Sequence, residues 1–267
     1  MPKVYKLIWS FVILSFVLSL VFFGVSYKKR IWKDESRLTY FDLSNPIQLR
    51  SIDPVTKEAV FINLPQNLEV ESVDGRGIWL LGKIAKAGTE DWVLESLRWH
   101  FGIVDLRSRS DLTLWDWWRV QTLKKSIPEK NIDLTETGLI TLEKTSDGLE
   151  IYKLSPHWYL QSPDWFSSAN LIRQNLNVSI VNTTFQSGLG SRVTRSLETM
   201  GIKVQTLSTS GDNLKRCRLT FSSQVQKLPG FLILQNLFKC EKIINESPGL
   251  NIKLELGQDW AIKLFGS

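Results

Sequence analysis

Gly188-x-Gly190, with Arg192 and Arg195 within the next two turns, is the spacing most suggestive of chemistry in this chain. Glycines between an apolar strand and a helix start leave backbone N–H groups free to meet an anion, and two guanidinium groups add charge. These four residues are therefore a candidate anion-binding site. A dinucleotide fingerprint would need a third glycine where Val193 stands, and Asp212 lies too far past the next strand to hold a ribose. Tight loop geometry is the competing reading of the same glycines. Lys215, Arg216 and Arg218 extend the basic character of this region.

Cys217 and Cys240 are the only cysteines, and His100 and His157 the only histidines. Neither cysteine sits in a CxxC pair and no second ligand lies at metal spacing, so no metal is expected. No GxSxG, HExxH or P-loop occurs, and no two carboxylates are spaced for acid and base work. Neither catalytic residues nor a cofactor is expected. Trp115, Trp117 and Trp118 point to nearly all sides of one helix; their faces suit sugar stacking, but packing in a core or between domains is the simpler use of such large rings.

The elements that must position these groups follow from apolar spacing. Residues 39–42, 59–63 and 78–84 alternate as strands; a helix runs from the Thr89 cap to the Gly102 stop; 103–106 is a strand; and Asp111 caps a second helix through Leu123. A hairpin over 139–144 and 149–154 turns at Ser146-Asp147-Gly148. The aromatic, Pro- and Ser-rich stretch 155–170 reads as a connector. Beyond it, 178–181, 203–207, 218–221 and 252–256 are strands, 188–200 is a helix closed by Gly201, and a second helix runs from Pro229 to Cys240. In this order Cys217 starts a strand and Cys240 ends the next helix, which predicts a disulfide between them rather than two buried thiols.

Leu7 to Tyr27 is a run of 21 uncharged, mostly apolar residues that ends in Lys28-Lys29-Arg30 rather than at a small-residue cleavage site. That length matches the ~20 residues a helix needs to cross a bilayer, so a retained anchor is expected over a cleaved signal. The expected fold class is α+β/α/β: a tail (1–6), a transmembrane helix (7–27), a juxtamembrane linker (28–38), a small mixed α/β domain (39–154), an aromatic linker (155–175) and a βαββαβ split-βαβ-like domain (176–267). The net charge of +6 equals the six Lys and Arg around the anchor, leaving 27 basic against 27 acidic residues elsewhere. Basic charge confined to the flanks of the anchor suits anionic lipid of the bilayer as a partner and argues against nucleic acid.

Ile180-Val181-Asn182-Thr183-Thr184, Gly188-Leu189-Gly190-x-x-Val193, Leu197-x-x-x-Gly201-Ile202-x-Val204 and Leu254-x-Leu256-Gly257-x-Asp259 resemble, in order, the LytR C-terminal domain of bacterial envelope proteins. The family usually has Ala where Gly190 stands. More faintly, 39–154 resembles a shortened LytR-CpsA-Psr domain, a family that transfers lipid-linked glycopolymers to peptidoglycan. Asn63-Leu64-Pro65-Gln66-Asn67 occupies the place of its Ser-Ile-Pro-Arg-Asp segment, and Phe101-Gly102-Ile103 that of its Leu-Gly-Ile. Gln66 and Asn67 replace the phosphate-gripping Arg and its Asp neighbour, and Gln cannot make the bidentate contact. The resemblance implies a single-pass cell-membrane protein with extracytoplasmic domains, against the bias of the flanking charges. Its role would be non-catalytic binding or scaffolding, with an anionic cell-wall polymer or another envelope protein as partner. The alternative is a divergent phosphotransferase using Mg²⁺ and Arg76, Arg107 or Arg109.

Overall fold

The computed structural model describes residues 2–32, 36–245 and 251–266. Its first helix, α1 (Pro2–Lys28), is the one described helix long and apolar enough to cross a membrane. The chain then forms β1 (Leu38–Asp42), β2 (Ile47–Asp53), β3 (Glu58–Leu64), β4 (Glu69–Glu71), β5 (Ile78–Leu80), α2 (Leu81–Ala87), α3 (Glu90–Phe101), β6 (Leu106–Ser108), α4 (Leu114–Lys124), β7 (Glu129–Ile132), β8 (Ile140–Lys144) and β9 (Glu150–Leu154). There follow α5 (Pro156–Phe166), α6 (Ala169–Gln174), β10 (Asn177–Asn182), α7 (Leu189–Met200), β11 (Lys203–Thr209), β12 (Arg218–Phe221), α8 (Pro229–Phe238), β13 (Glu241–Ile244), β14 (Asn251–Leu256) and α9 (Gln258–Phe265).

The first sheet has the order β6-β1-β2-β3-β7, built on the antiparallel meander β1 to β3. Alternation gives it two buried faces. One face presents Tyr40, Ile52 and Ala59 to Trp32 and to Val120 of α4. The other presents Phe41, Leu49, Val60 and Ile62 to the main core, which continues through α3 into the C-terminal half. The span 78–84, expected as a strand, stops pairing at Leu80 and turns into α2, which buries Leu81 and Ile84. The second helix is capped by Thr113 with Asp116 in a reciprocal box, not by Asp111, which closes a short 3-10 turn with Ser108.

The second sheet, β11-β10-β14-β12-β13, corrects the split-βαβ expectation. In a split unit another strand separates the two parallel ones, whereas β10 and β11 pair directly, and so do β12 and β13. Two βαβ units thus flank β14, which is parallel to β10 and antiparallel to β12. The helix expected to reach Cys240 stops earlier and makes room for β13: Lys239 takes a left-handed conformation (φ 51°), which ends α8 at Phe238 and frees the next residues to pair. The mixed α/β character stands.

Among the described residues, both expected linkers contain packed segments. Trp32, within the expected juxtamembrane stretch, is buried against the first sheet, and Arg37 is buried beside Asp53. The expected connector 155–175 folds into α5 and α6, with Pro156 and Pro163 absorbed in one helix. Trp158, Trp165, Phe166 and Leu171 from these helices lie in the same core as Phe101 and Met200, so the two halves share one apolar interior. Helix α9 staples them from the other side. Trp260 meets Trp99 of α3 at 5.4 Å, and Lys263 bonds Glu95 at 2.8 Å.

Cys217 and Cys240 form a disulfide, their Cα atoms 4.8 Å apart. It ties the start of β12 to the chain entering β13. Closing a loop of 23 residues is worth about 3 kcal/mol in the chain-entropy model. Reduction with a thiol is expected to lower the unfolding free energy by about that amount; equal urea midpoints with and without reductant would refute it.

Candidate functional site

The four anion-site candidates are not brought together. Gly188 starts α7 in the left-handed region (φ 81°), and the pro-chiral hydrogen of Gly190 faces inward: a Cβ there would sit 2.5 Å from Leu207 Cδ1. That is close packing of α7 on β11, the loop-geometry reading of these glycines. Arg192 points away from the helix start and is buried between the halves. Its Nη1 lies 3.5 Å from Glu71 and 3.5 Å from the Leu264 carbonyl, its guanidinium over Phe265. Arg195, a turn later, stacks on Tyr159 at 4.3 Å. A helix of 3.6 residues per turn puts positions 192 and 195 on the flank packed against α5 and the N-terminal half, not at its N-terminal end.

What the two arginines do surround is His100, at the end of α3. Its Nδ1 accepts a hydrogen bond from the Glu71 backbone N–H at 3.1 Å, and its Nε2 is buried without a partner. Burial first, then the charges of Arg192 and Arg195, push its pKa down to about 3. The unfolded chain would bind this proton near pH 6.5, so the unfolded state carries more protons than the folded one at any pH in between. The His100 contribution to stability is therefore complete above pH ~6.5 and lost as pH falls toward ~3, by at most about 1.4 kcal/mol per pH unit. Denaturation midpoints at pH 7 and pH 5 should differ more for the natural chain than for His100→Gln. Parallel pH profiles would refute the assignment.

The arginines offered for a transferase are likewise dispersed. Arg76 lies over the Trp92 ring, Arg107 pairs with Asp105 at 3.3 Å, and Arg109 bonds Asp42. Each answers to a different partner. Gln66 donates to Asn45 at 3.0 Å and Asn67 to the Glu150 carbonyl at 2.7 Å, both holding turns in place. No group of three or more His, Cys, Asp or Glu that could hold a metal occurs among the described residues.

The site that spacing could not reveal is a cavity of about 430 Å³ at the seam of the two halves. Ile103 and Arg37 contribute from the N-terminal side, Phe166 and Leu171 from α5 and α6, Met200 from α7, and Leu232 and Ile233 from α8. Helix α8 meets α6 and the residues just after it closely because Gly230 has no side chain: a Cβ there would lie 2.4 Å from Leu176 Cδ1 and 3.3 Å from Leu171 Cδ2 of α6. Gln174 clamps the contact by accepting from the Gly230 N–H at 2.7 Å. Around this apolar floor stand Asp105, Asn170 and Asn236. Asp105 is an exposed residue of this rim and pairs with Arg107 at 3.3 Å. A mostly apolar chamber of this size, bordered by amides, hydroxyls, Arg37 and one acid, is suited to holding an apolar side chain or small ligand by shape and a few hydrogen bonds. The signal in the sequence was present in fragments: Pro229-Gly230, the aromatic stretch and the amides at 170, 174 and 236. Only their convergence was hidden.

No family model matches the chain, and neither the curated proteins nor the solved structures contain a match.

Proposed function

We propose that this protein is a single-pass cell-envelope protein whose soluble part lies outside the membrane and binds or scaffolds a wall component or a neighbouring envelope protein without catalysis. Its C-terminal half would be a LytR C-terminal-type module, and its middle region a LytR-CpsA-Psr-like domain that has lost the phosphate grip. The observation that carries this reading is the seam cavity: its lining is chiefly apolar, while the guanidinium groups a phosphoryl transfer would need are each tied to a separate partner. Helix α1 supports the anchor. The Cys217–Cys240 disulfide supports the outward placement, because structural disulfides persist in oxidising compartments.

The test uses the full chain in bacterial cells. A Phe185→Cys variant, at a position far out in solvent, is expected to react with a membrane-impermeant maleimide on intact cells. Purified protein is expected to co-sediment with peptidoglycan sacculi, and Ile233→Glu, which puts a charge at the cavity mouth, to weaken that retention while leaving the urea midpoint near its natural value. Labelling only after lysis would reject the envelope reading. Retention unchanged by Ile233→Glu would reject the cavity as its basis.

A further inference from the structure

Helix α4 has two faces of opposite use. Asp116 and Val120 point inward to the first sheet, with Leu123 packed beside them, and Arg119 lies over Trp32 at 4.2 Å. Leu114, Trp117 and Trp118, at i, i+3 and i+4, form the opposite stripe and are 53%, 47% and 49% exposed. The expectation that the tryptophans of this helix pack in a core or between domains is therefore wrong for two of the three, and Trp115 packs on α1.

The contact with α1 locates that stripe. Trp115 meets Phe23 edge-on at 5.0 Å and Tyr27 at 5.1 Å, and Trp118 meets Phe23 at 6.5 Å. Polar bonds fix the joint: the Trp115 N–H donates to Ser26 Oγ at 3.0 Å, and Asp116 accepts from the Ile31 and Trp32 N–H groups at 3.1 Å. Phe23 stands five residues before Lys28, about 7.5 Å further along the helix axis at 1.5 Å per residue. A helix lying in the membrane interface buries its apolar face ~5–10 Å into the headgroup and acyl boundary. The depths agree. Lys28 and Lys29 are exposed beside the joint, and Lys124 and Lys125 are exposed at the far end of α4, as suits anionic headgroups.

We infer that α4 is an interfacial helix whose Leu114–Trp117–Trp118 stripe sits in the lipid bilayer surface and holds the soluble part at a set angle to α1. Tryptophan suits this place because its ring prefers the boundary between hydrocarbon and headgroups. The inference rests on α1 spanning the membrane, and the experiment separates the two. The full chain, carrying a nitroxide at Leu114→Cys, Gln121→Cys, Phe16→Cys or Phe185→Cys, is reconstituted in nanodiscs of phosphatidylcholine and phosphatidylglycerol. Gln121 continues the stripe, Phe16 lies mid-span, and Phe185 belongs to the half across the first sheet from α4. The native cysteines stay bridged and unlabelled. The ratio of oxygen to nickel-chelate accessibility is expected to be severalfold higher at positions 114 and 121 than at 185. Values at 114 and 121 equal to that at 185, with position 16 lipid-exposed, would overturn this inference alone; an aqueous position 16 would overturn the anchor itself. Spin–spin coupling between copies at position 114 would assign the stripe to a second chain and also overturn it.

Discussion

Arg37→Ala is expected to cost about 3–5 kcal/mol of folding free energy, because it removes the partner of a charge that cannot reach water. Asp53 is 1% exposed and lies 3.4 Å from the Arg37 guanidinium, which also donates to Ser51 Oγ at 3.2 Å and to the Trp165 carbonyl. Burial lowers the arginine's own pKa, with Asp53 and then Glu58 opposing, so the ion pair offsets a desolvation cost rather than adding free stability. Arg37→Met combined with Asp53→Asn should recover most of the loss, since the amide oxygen can still accept from the Val55 N–H at 2.8 Å while no charge remains. Urea denaturation of the natural chain, the single and the double variants in detergent forms the cycle. Equal midpoints for Arg37→Ala and the natural chain would refute the buried pair.

A loss of similar size, about 3–5 kcal/mol, is expected for Trp158→Ala. Trp158 is 0% exposed, packs on Phe101, Trp165 and Phe166, and donates its indole N–H to the Phe101 carbonyl at 3.0 Å. Truncation opens a cavity at the seam and strands that carbonyl, the end of α3, without its donor. In a flexible connector the same substitution would fall within about 0.5 kcal/mol of neutral, so the measurement discriminates sharply between a linker and a core helix. Trp158→Phe should cost less, as it keeps the ring packing and loses only the hydrogen bond and part of the volume. A Trp158→Ala chain that unfolds at the natural urea concentration would return 155–175 to the role of connector.

Both variants lie in stretches that were expected to be linkers, and the reason is the same. Composition reports solubility and breakers, and Pro156, Pro163 and four serines outweigh the rings when residues are read one after another. In three dimensions Pro156 begins a helix, where its missing N–H costs nothing, and Ser155 caps it by accepting from the His157 N–H. The aromatic spacing then faces a core supplied by α3, which ends 55 residues before α5 begins, and by α7, which starts 23 residues after α5 ends. Sequence separation of that kind carries no local signal.

The candidate site divides in the same way. Arg192 and Arg195 were legible as a basic pair near a glycine-rich helix start, but which flank of α7 they occupy depends on α5 and on Glu71 from β4. The seam cavity was illegible because its lining comes from β1, α5, α6, α7 and α8 and the turns between, each contributing between one and four side chains.

By itself the sequence determined what rests on near neighbours: an apolar stretch of spanning length, the stripe and caps of α3 and α7, the pairing of β8 with β9, and mixed α/β composition. Periodicity and capping act within a few residues, so they survive in the order of letters. Tertiary structure alone decided the strand order of the second sheet, the fusion of the two halves through α5, α6 and α9, the burial of Arg37 with Asp53, and the outward turn of Trp117 and Trp118 beside α1. Each of these follows from which apolar faces meet across long separations. That choice is made by the packing energy of the whole core, which no window of the sequence contains.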